Sequence, residues 1–154
     1  MFKINKKIEY ALIALKHIGQ KPSGTLTSVK EICDLYKSPF DVMSRAMQKM
    51  VRKGILNSEK GVNGGYSLQR DLSNINLLQL VEVILGEVHV ANCLDADKCD
   101  CALTATCNVI SPILNLDQRL RQFLAQLTVA ELIESDFAEE QQVRQDFNTH
   151  MELR

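Results

Sequence analysis

The sequence predicts a mainly α-helical fold with one small β-hairpin and a long helix near its end. Three observations predict this fold class. Apolar residues recur at helical spacing in several stretches, polar residues stand at helix-capping positions, and a glycine-rich stretch separates two short extended segments. The chain has 154 residues, of which 45% are apolar and 24% charged, a composition sufficient for a hydrophobic core.

Two helices are predicted at the start of the chain. Apolar residues at helical spacing predict the first helix over residues 5–19. Ser28 and Glu31 are spaced as a capping box, which opens a second, short helix over residues 29–36.

A third helix follows at once, because Ser38 is a capping residue and Pro39 suits a first helical turn. It is predicted over residues 39–53 and ends at Gly54. Two short helices this close together are typical of a helix-turn-helix, whose second helix reads DNA. With Ser38, the polar side of the third helix supplies the candidate DNA contacts Asp41, Ser44, Arg45, Gln48, Lys49 and Arg52.

The next segment, "ILNSEKGVNGGYSLQR", predicts a β-hairpin with a glycine-rich turn. Lys60 and Asn63 lie at its tip and are candidate DNA contacts. A nucleotide-binding glycine loop is a poor alternative, because a strand follows "GVNGG" where a phosphate site needs a helix. The pattern therefore predicts a winged helix-turn-helix.

Two further elements complete the predicted fold. Asn76 and Gln79 cap a helix over residues 77–85 that stops at Gly86. A helix of up to about 20 residues begins near Ser111 and carries an apolar stripe. We expect this stripe to pair with a second copy of the chain, and packing against its own domain is the alternative. The stripe consists of Ile113, Leu116, Leu120, Phe123, Leu124 and Leu127.

Charge is divided unevenly along the chain. Residues 1–70 carry 13 Lys and Arg against 5 Asp and Glu, whereas residues 71–154 carry 5 against 14. This asymmetry predicts that the first half meets a polyanion such as DNA. No apolar run is long enough for a membrane span, and charges interrupt the first apolar stretch, so we expect a cytoplasmic protein that binds no membrane.

Four of the five cysteines lie within the stretch "CLDADKCDCALTATC". In the cytoplasm stable disulfides are unusual, and clustered cysteines more often bind metal or do redox work. Four thiolates suit structural zinc, whose tetrahedral site tolerates a C-x-C pair. Thiol–disulfide sensing and an iron–sulfur cluster are the other chemistries that this pattern permits.

The chain resembles the Rrf-type repressor family, which contains the IscR, NsrR and RirA regulators. "SPFDVMSRAMQKMVRKGILNSEKGVNGGYSLQR", "INLLQLVEVILGEV", the spaced cysteines and the opening "EYALIAL" carry the resemblance, over roughly residues 1–135. It implies a homodimeric winged-helix transcription factor. Such a dimer is expected to bind a palindromic operator in double-stranded DNA, as a repressor or as an activator. The resemblance also implies that a bound [4Fe-4S] or [2Fe-2S] cluster controls the affinity for DNA.

The resemblance also implies the cluster ligands. They are Cys93, Cys101 and Cys107, with Cys99 as an alternate or spare ligand, and Glu9 is expected to come from the partner subunit. Binding by all four cysteines without the glutamate is a second arrangement.

Three positions depart from the family's pattern. Lys60 stands where many relatives have arginine, and Ser44 stands where some have a base-selecting glutamate. Ile110 occupies the position at which some relatives have a histidine ligand.

We therefore expect a transcriptional regulator that senses iron or cluster status, nitric oxide or redox stress. The alternatives are a zinc-stabilised or thiol-redox DNA-binding regulator, or an iron–sulfur carrier protein. No nucleophile–base pair or substrate motif indicates an enzyme. The predicted parts are a DNA-binding domain (1–86), a cluster-binding loop (87–108), a dimerisation helix with a short following helix (109–135) and a polar acidic tail with a composition typical of disorder (136–154).

Overall fold

The computed structural model describes residues 3–95, 99–103 and 105–134. Within them lie six α-helices, a two-stranded antiparallel sheet and two short 3₁₀ helices, Leu72–Asn74 and Asn92–Leu94. The mainly helical fold class with a small hairpin is therefore confirmed. The α-helices and strands are α1 (Lys6–Gly19), α2 (Val29–Tyr36), α3 (Phe40–Arg52), β1 (Leu56–Glu59), β2 (Gly65–Leu68), α4 (Leu77–Leu85), α5 (Ile110–Gln126) and α6 (Val129–Ile133).

One hydrophobic core joins α1, α2, α3 and α4. One side of α3 faces this core, and the buried residues on that side recur every three or four positions. The unbranched methionines of α3 fill the space between the helices, and all three of these side chains are fully buried. Buried residues of α3 are Met43, Ala46, Met47 and Met50.

Two capping boxes form completely, the predicted one at the start of α4 and another at the start of α6. The side chain of Asn76 accepts from the amide of Gln79, and the Gln79 side chain accepts from the Asn76 amide. Thr128 and Glu131 exchange the same pair of hydrogen bonds at the start of α6. The hydrogen bonds from the backbone and side chain of Thr128 lower the pKa of the Glu131 carboxyl.

The predicted box at α2 forms only by half. Ser28 accepts from the amide of Glu31, but the Glu31 carboxylate binds Lys21 and His17. These two contacts lower the pKa of the Glu31 carboxyl, with the Lys21 hydrogen bond as the larger cause. Side chains from α1 and its following turn thus replace the reciprocal capping bond, and the Lys21 ammonium is a stronger donor to a carboxylate than a backbone amide is.

The predicted cap at α3 is wrong. The N-cap is Pro39, which makes no side-chain hydrogen bond, and the hydroxyl of Ser38 instead donates to the Cys33 sulfur at 3.5 Å. Because the serine stands one position too early, its oxygen is used inside the turn between α2 and α3.

The wing is an antiparallel hairpin in which Leu56 pairs with Leu68 and Glu59 pairs with Gly65. Its base is tied to the segment before α2, where Thr27 and Tyr66 exchange two backbone hydrogen bonds of 2.9 Å. Gly65 permits this approach, because a β-carbon there would lie 2.9 Å from the carbonyl oxygen of Thr27. The wing is therefore fixed to the helical body at its base.

The chain returns to the body after α5. The amide of Leu77 donates to Leu127 O, and the amide of Val129 donates to Ile75 O, both at 2.8 Å. Val129 is fully buried in the core. These contacts hold the end of α5 and the short α6 against the start of α4.

No helix within the described ranges is long and apolar enough to cross a bilayer. The predicted acidic tail, residues 136–154, lies outside the described residues.

Candidate DNA-binding surface and cysteine loop

The turn between α2 and α3 is built by one residue in an unusual conformation. Lys37 has a φ of 51°, in the left-handed region, and stops α2 after Tyr36. The chain reverses within three residues and enters α3 at Phe40. This short connection gives the helix-turn-helix geometry that the sequence predicted.

The predicted polar contacts of α3 lie together on its outer side. Asp41, Arg45, Gln48 and Arg52 are exposed, and Ser44 is half-buried. The Gln48 amide donates to the Ser44 hydroxyl at 3.3 Å, which holds both groups in one row along the helix. Hydrogen-bonding groups and cations therefore share one surface, as a helix that reads a major groove requires.

Lys49 and Ser38 are placed differently from the other candidates. The Lys49 ammonium donates to the carbonyl oxygen of Ile84 at 2.7 Å, at the C-terminal end of α4. Ser38 is half-buried against Cys33. Both contacts fix α3 against neighbouring helices.

The wing tip presents an exposed surface of its own. Lys60, Val62 and Asn63 are all exposed, and Gly61 has a φ of 120° that favours glycine. The structure therefore brings the predicted tip residues together at the outer end of the hairpin.

A cleft of about 330 Å³ extends the basic surface toward the start of α1. Lys7, Arg45 and Lys49 line it together with Asp41 and Ile84. Lys7 is not among the predicted DNA contacts, because only the packing of α1 beside α3 places it next to the recognition helix. The lysine-rich stretch "KINKK" around Lys7 is the feature of the sequence that could have indicated a DNA contact here.

The cysteine loop joins α4 to α5. Cys93 lies in the second 3₁₀ helix and is half-buried, as is Cys107, whereas Cys99 and Cys101 are exposed. Among the described residues, no three Cys, His, Asp or Glu side chains are close enough together to hold a metal ion. Four thiol donors in one irregular loop fit the ligand chemistry of an iron–sulfur cluster or of zinc. In the described residues, however, these thiols are not close enough together to bind one metal ion.

The predicted partner-subunit ligand, Glu9, lies in the first turn of α1. It is ion-paired with Lys6 at 2.5 Å, and this hydrogen bond raises the pKa of the Lys6 amine. The carboxylate is thus at the surface, beside a lysine that it must leave in order to bind a metal.

A polar network that the sequence analysis missed holds the start of the loop segment. The buried carboxylate of Asp117 on α5 accepts from the Val90 amide at 2.8 Å and lies 3.2 Å from His89 Nδ1. One turn later, Arg121 donates to Val88 O at 3.0 Å and to the Glu82 carboxylate at 2.7 Å. A charged residue in an apolar helical stripe was the signal for Asp117.

The apolar stripe of α5 is covered only in part by the described chain. Leu116 and Phe123 are 47% and 59% exposed, whereas the other stripe residues are half-buried, and Leu124 and Leu127 pack against the core. Asp117 is the only residue of α5 that is buried. Exposed aromatic and aliphatic side chains along one helix are typical of a surface that pairs with another chain.

A helix-turn-helix followed directly by a β-hairpin, with cations on its second helix and at the wing tip, defines a winged-helix DNA-binding protein. The chain belongs to the Rrf2 family of iron-dependent transcriptional regulators, whose family model matches residues 4–135. It is thus a DNA-binding transcriptional regulator and not an enzyme.

Individual relatives agree with this assignment. The transcriptional regulator NsrR of Shouchella clausii is 24% identical over 125 residues, which cover 81% of this chain and 84% of that protein. Among solved structures, the global cysteine regulator CymR of B. subtilis has a TM-score of 0.66 at 20% identity and covers 88% of this chain and 100% of that chain. IscR of T. potens has a TM-score of 0.58 at 21% identity, with coverages of 86% and 87%.

Proposed function

We propose that this protein is a cytoplasmic, homodimeric repressor whose affinity for a palindromic operator depends on an iron–sulfur cluster. The observation that carries the proposal is the position of the four loop cysteines. They lie between α4, which packs on the recognition helix, and α5, whose apolar stripe leaves Leu116 and Phe123 exposed. A conformational change in the loop would therefore act on both the DNA-binding domain and α5.

Two copies joined along α5 would present two α3 helices to one side of a duplex. Half-sites about 34 Å apart then place each α3 in a major groove. Arg45, Arg52 and Lys60 supply phosphate contacts, and Asp41, Ser44 and Gln48 reach base edges, with Asn63 entering from the wing tip. Phosphate contacts give most of the affinity and make it fall steeply with salt.

The proposed cluster ligands are Cys93, Cys107 and one of Cys99 and Cys101, with Glu9 of the partner subunit completing the set. The cluster, when bound, supplies a reactive iron–sulfide centre that iron loss, nitric oxide or oxidants can destroy. This chain's residues supply the thiolates and a carboxylate, which is a weaker ligand for such iron than a thiolate and therefore easier to displace.

The function is tested with full-length protein purified without oxygen. Iron, sulfide and zinc are measured alongside the visible absorbance, and affinity for an operator found by selection from random duplexes is measured before and after exposure to air. We expect equal iron and sulfide, and an affinity that changes at least tenfold when they are lost. Cys93→Ala should abolish both effects, and Cys33→Ala, outside the loop, should leave them unchanged.

The same measurements distinguish cluster control from two other candidate functions. Zinc in place of iron, with DNA affinity that falls on chelation, would make the protein a zinc-stabilised regulator. Metal-free protein whose affinity follows thiol oxidation would make it a thiol switch, a function favoured by the exposure of Cys99 and Cys101. Colourless protein with unaltered affinity in air would refute cluster control.

A further inference from the structure

Phe40 is an exposed aromatic residue at the leading end of the recognition helix. It is the first residue of α3, and 54% of it is exposed. The N-terminal residues of a helix-turn-helix recognition helix are those that contact base edges. Phe40 therefore lies at a position that contacts base edges in such proteins, although its side chain has no hydrogen-bonding group.

The N-cap position of α3 is apolar where such positions commonly carry a polar side chain. Pro39 makes no side-chain hydrogen bond, and the Ser38 hydroxyl is turned toward the Cys33 sulfur. The exposed side chains of the first turn are thus the ring of Phe40 and the carboxylate of Asp41, and of these two only the ring is apolar.

Phe40 also begins a row of side chains along α3. Ser44 and Gln48 follow at intervals of four, and the hydrogen bond between them shows that they share one side of the helix. This row leads from the apolar ring to two groups that can pair with base edges.

The major groove offers one apolar group to such a ring. Of the four bases only thymine carries a methyl group on its major-groove edge, and apolar side chains recognise it by contact. We propose that Phe40 reads the C5-methyl group of thymine in each half-site of the operator. The inference rests on the DNA-binding function and adds a specificity determinant that makes no hydrogen bond.

The experiment begins with selection of binding sites from random duplexes. Full-length protein, purified without oxygen, is compared with Phe40→Ala and with Leu35→Ala, an equally exposed apolar residue on α2. We expect the wild-type protein and Leu35→Ala to enrich thymine at one position of each half-site. Phe40→Ala should lose that enrichment and keep the preferences at other positions.

The second step removes the methyl group alone. Deoxyuridine replaces the selected thymine, and affinities are measured at one salt concentration. Burial of a methyl group contributes about 0.8 kcal/mol, which corresponds to a loss of about fourfold per half-site and about 15-fold for both. Phe40→Ala should lose less than about twofold, and Phe40→Leu, which keeps an apolar contact, should remain sensitive.

Several outcomes would overturn the inference. Selection without a thymine preference, a preference that survives in Phe40→Ala, or an equal loss on deoxyuridine in wild type and Phe40→Ala would each do so. Circular dichroism and affinity for unrelated DNA show that Phe40→Ala is folded. Failure of DNA binding itself is distinct, because no position would then be enriched with any variant.

Discussion

Replacing Asp117 with alanine tests the network that holds the loop segment on α5. Asp117 is 4% exposed, and both of its carboxylate oxygens are engaged, one by the Val90 amide and the other by His89. An ionised carboxylate only accepts, so His89 donates through Nδ1. The substitution therefore removes two hydrogen bonds to one charged group.

The magnitude follows from these contacts. Hydrogen bonds to a charged group contribute about 1.5–3 kcal/mol each, which gives about 3–6 kcal/mol for the pair. Two effects reduce this sum, because Val90 is itself partly exposed and can bind water, and because the desolvation cost of the buried carboxylate is relieved. We expect a net loss of about 2–3 kcal/mol, or a decrease in Tm of about 4–12 °C.

The assay is urea unfolding followed by circular dichroism at one fixed subunit concentration, since dimerisation would otherwise shift the midpoint. Asp117→Asn should lose about half as much, because its single oxygen still accepts from Val90 and its amide cannot accept from His89. Gln118→Ala, exposed on the same helix, is the control. A loss below about 0.5 kcal/mol in Asp117→Ala, indistinguishable from a surface change, would refute the role of the network.

Three other predictions test other parts of the fold. Glu31→Gln should reduce the loss of stability in acid. Because the folded-state pKa of Glu31 lies below its ordinary value of 4.5, the wild-type contribution is complete above pH 4.5 and is lost as the pH falls through that lower pKa. We expect a difference of about 1 kcal/mol or less between the two proteins in urea unfolding measured across this pH range. Gly65→Ala should cost about 1–3 kcal/mol in urea unfolding, because its β-carbon would meet Thr27 O at 2.9 Å, whereas Gly19→Ala meets only a side-chain carbon at 3.4 Å. Phe123→Asp should convert the proposed dimer to monomers in light scattering, and an unchanged mass would exclude α5 from the dimer contact.

Local signals in the sequence predicted most of the backbone. Asn76 and Gln79 locate the start of α4 because a capping box involves only four consecutive residues. The hairpin was predicted from local signals as well, because two short extended segments flank a group of glycines. One of these glycines, Gly61, has the positive φ that tight turns favour. Where structure depends on neighbours in the chain, periodicity and capping residues located the elements, and the cap of α3 at Ser38 is the exception.

Contacts between distant residues were not predictable from these signals. The Glu31 carboxylate prefers Lys21 and His17 to its expected capping bond, and Lys49 reaches Ile84 across 35 positions of the chain. Each outcome depends on how helices pack, which no local pattern encodes. The loop cysteines have no periodicity at all, so their spacing indicated a sulfur donor set and left its arrangement open.

The free energies of these long-range hydrogen bonds are relevant to how the cysteine loop could influence DNA binding. Coupling between two sites in regulators typically amounts to about 1–3 kcal/mol. One hydrogen bond to a charged group is of the same size. Lys49 ties α3 to α4, Arg121 ties α4 to α5, and Asp117 ties α5 to the segment that leads into Cys93. If the proposed cluster acts on DNA binding through this series, the energy of one such contact is of the size needed to shift DNA affinity by about tenfold, without any rearrangement of the core.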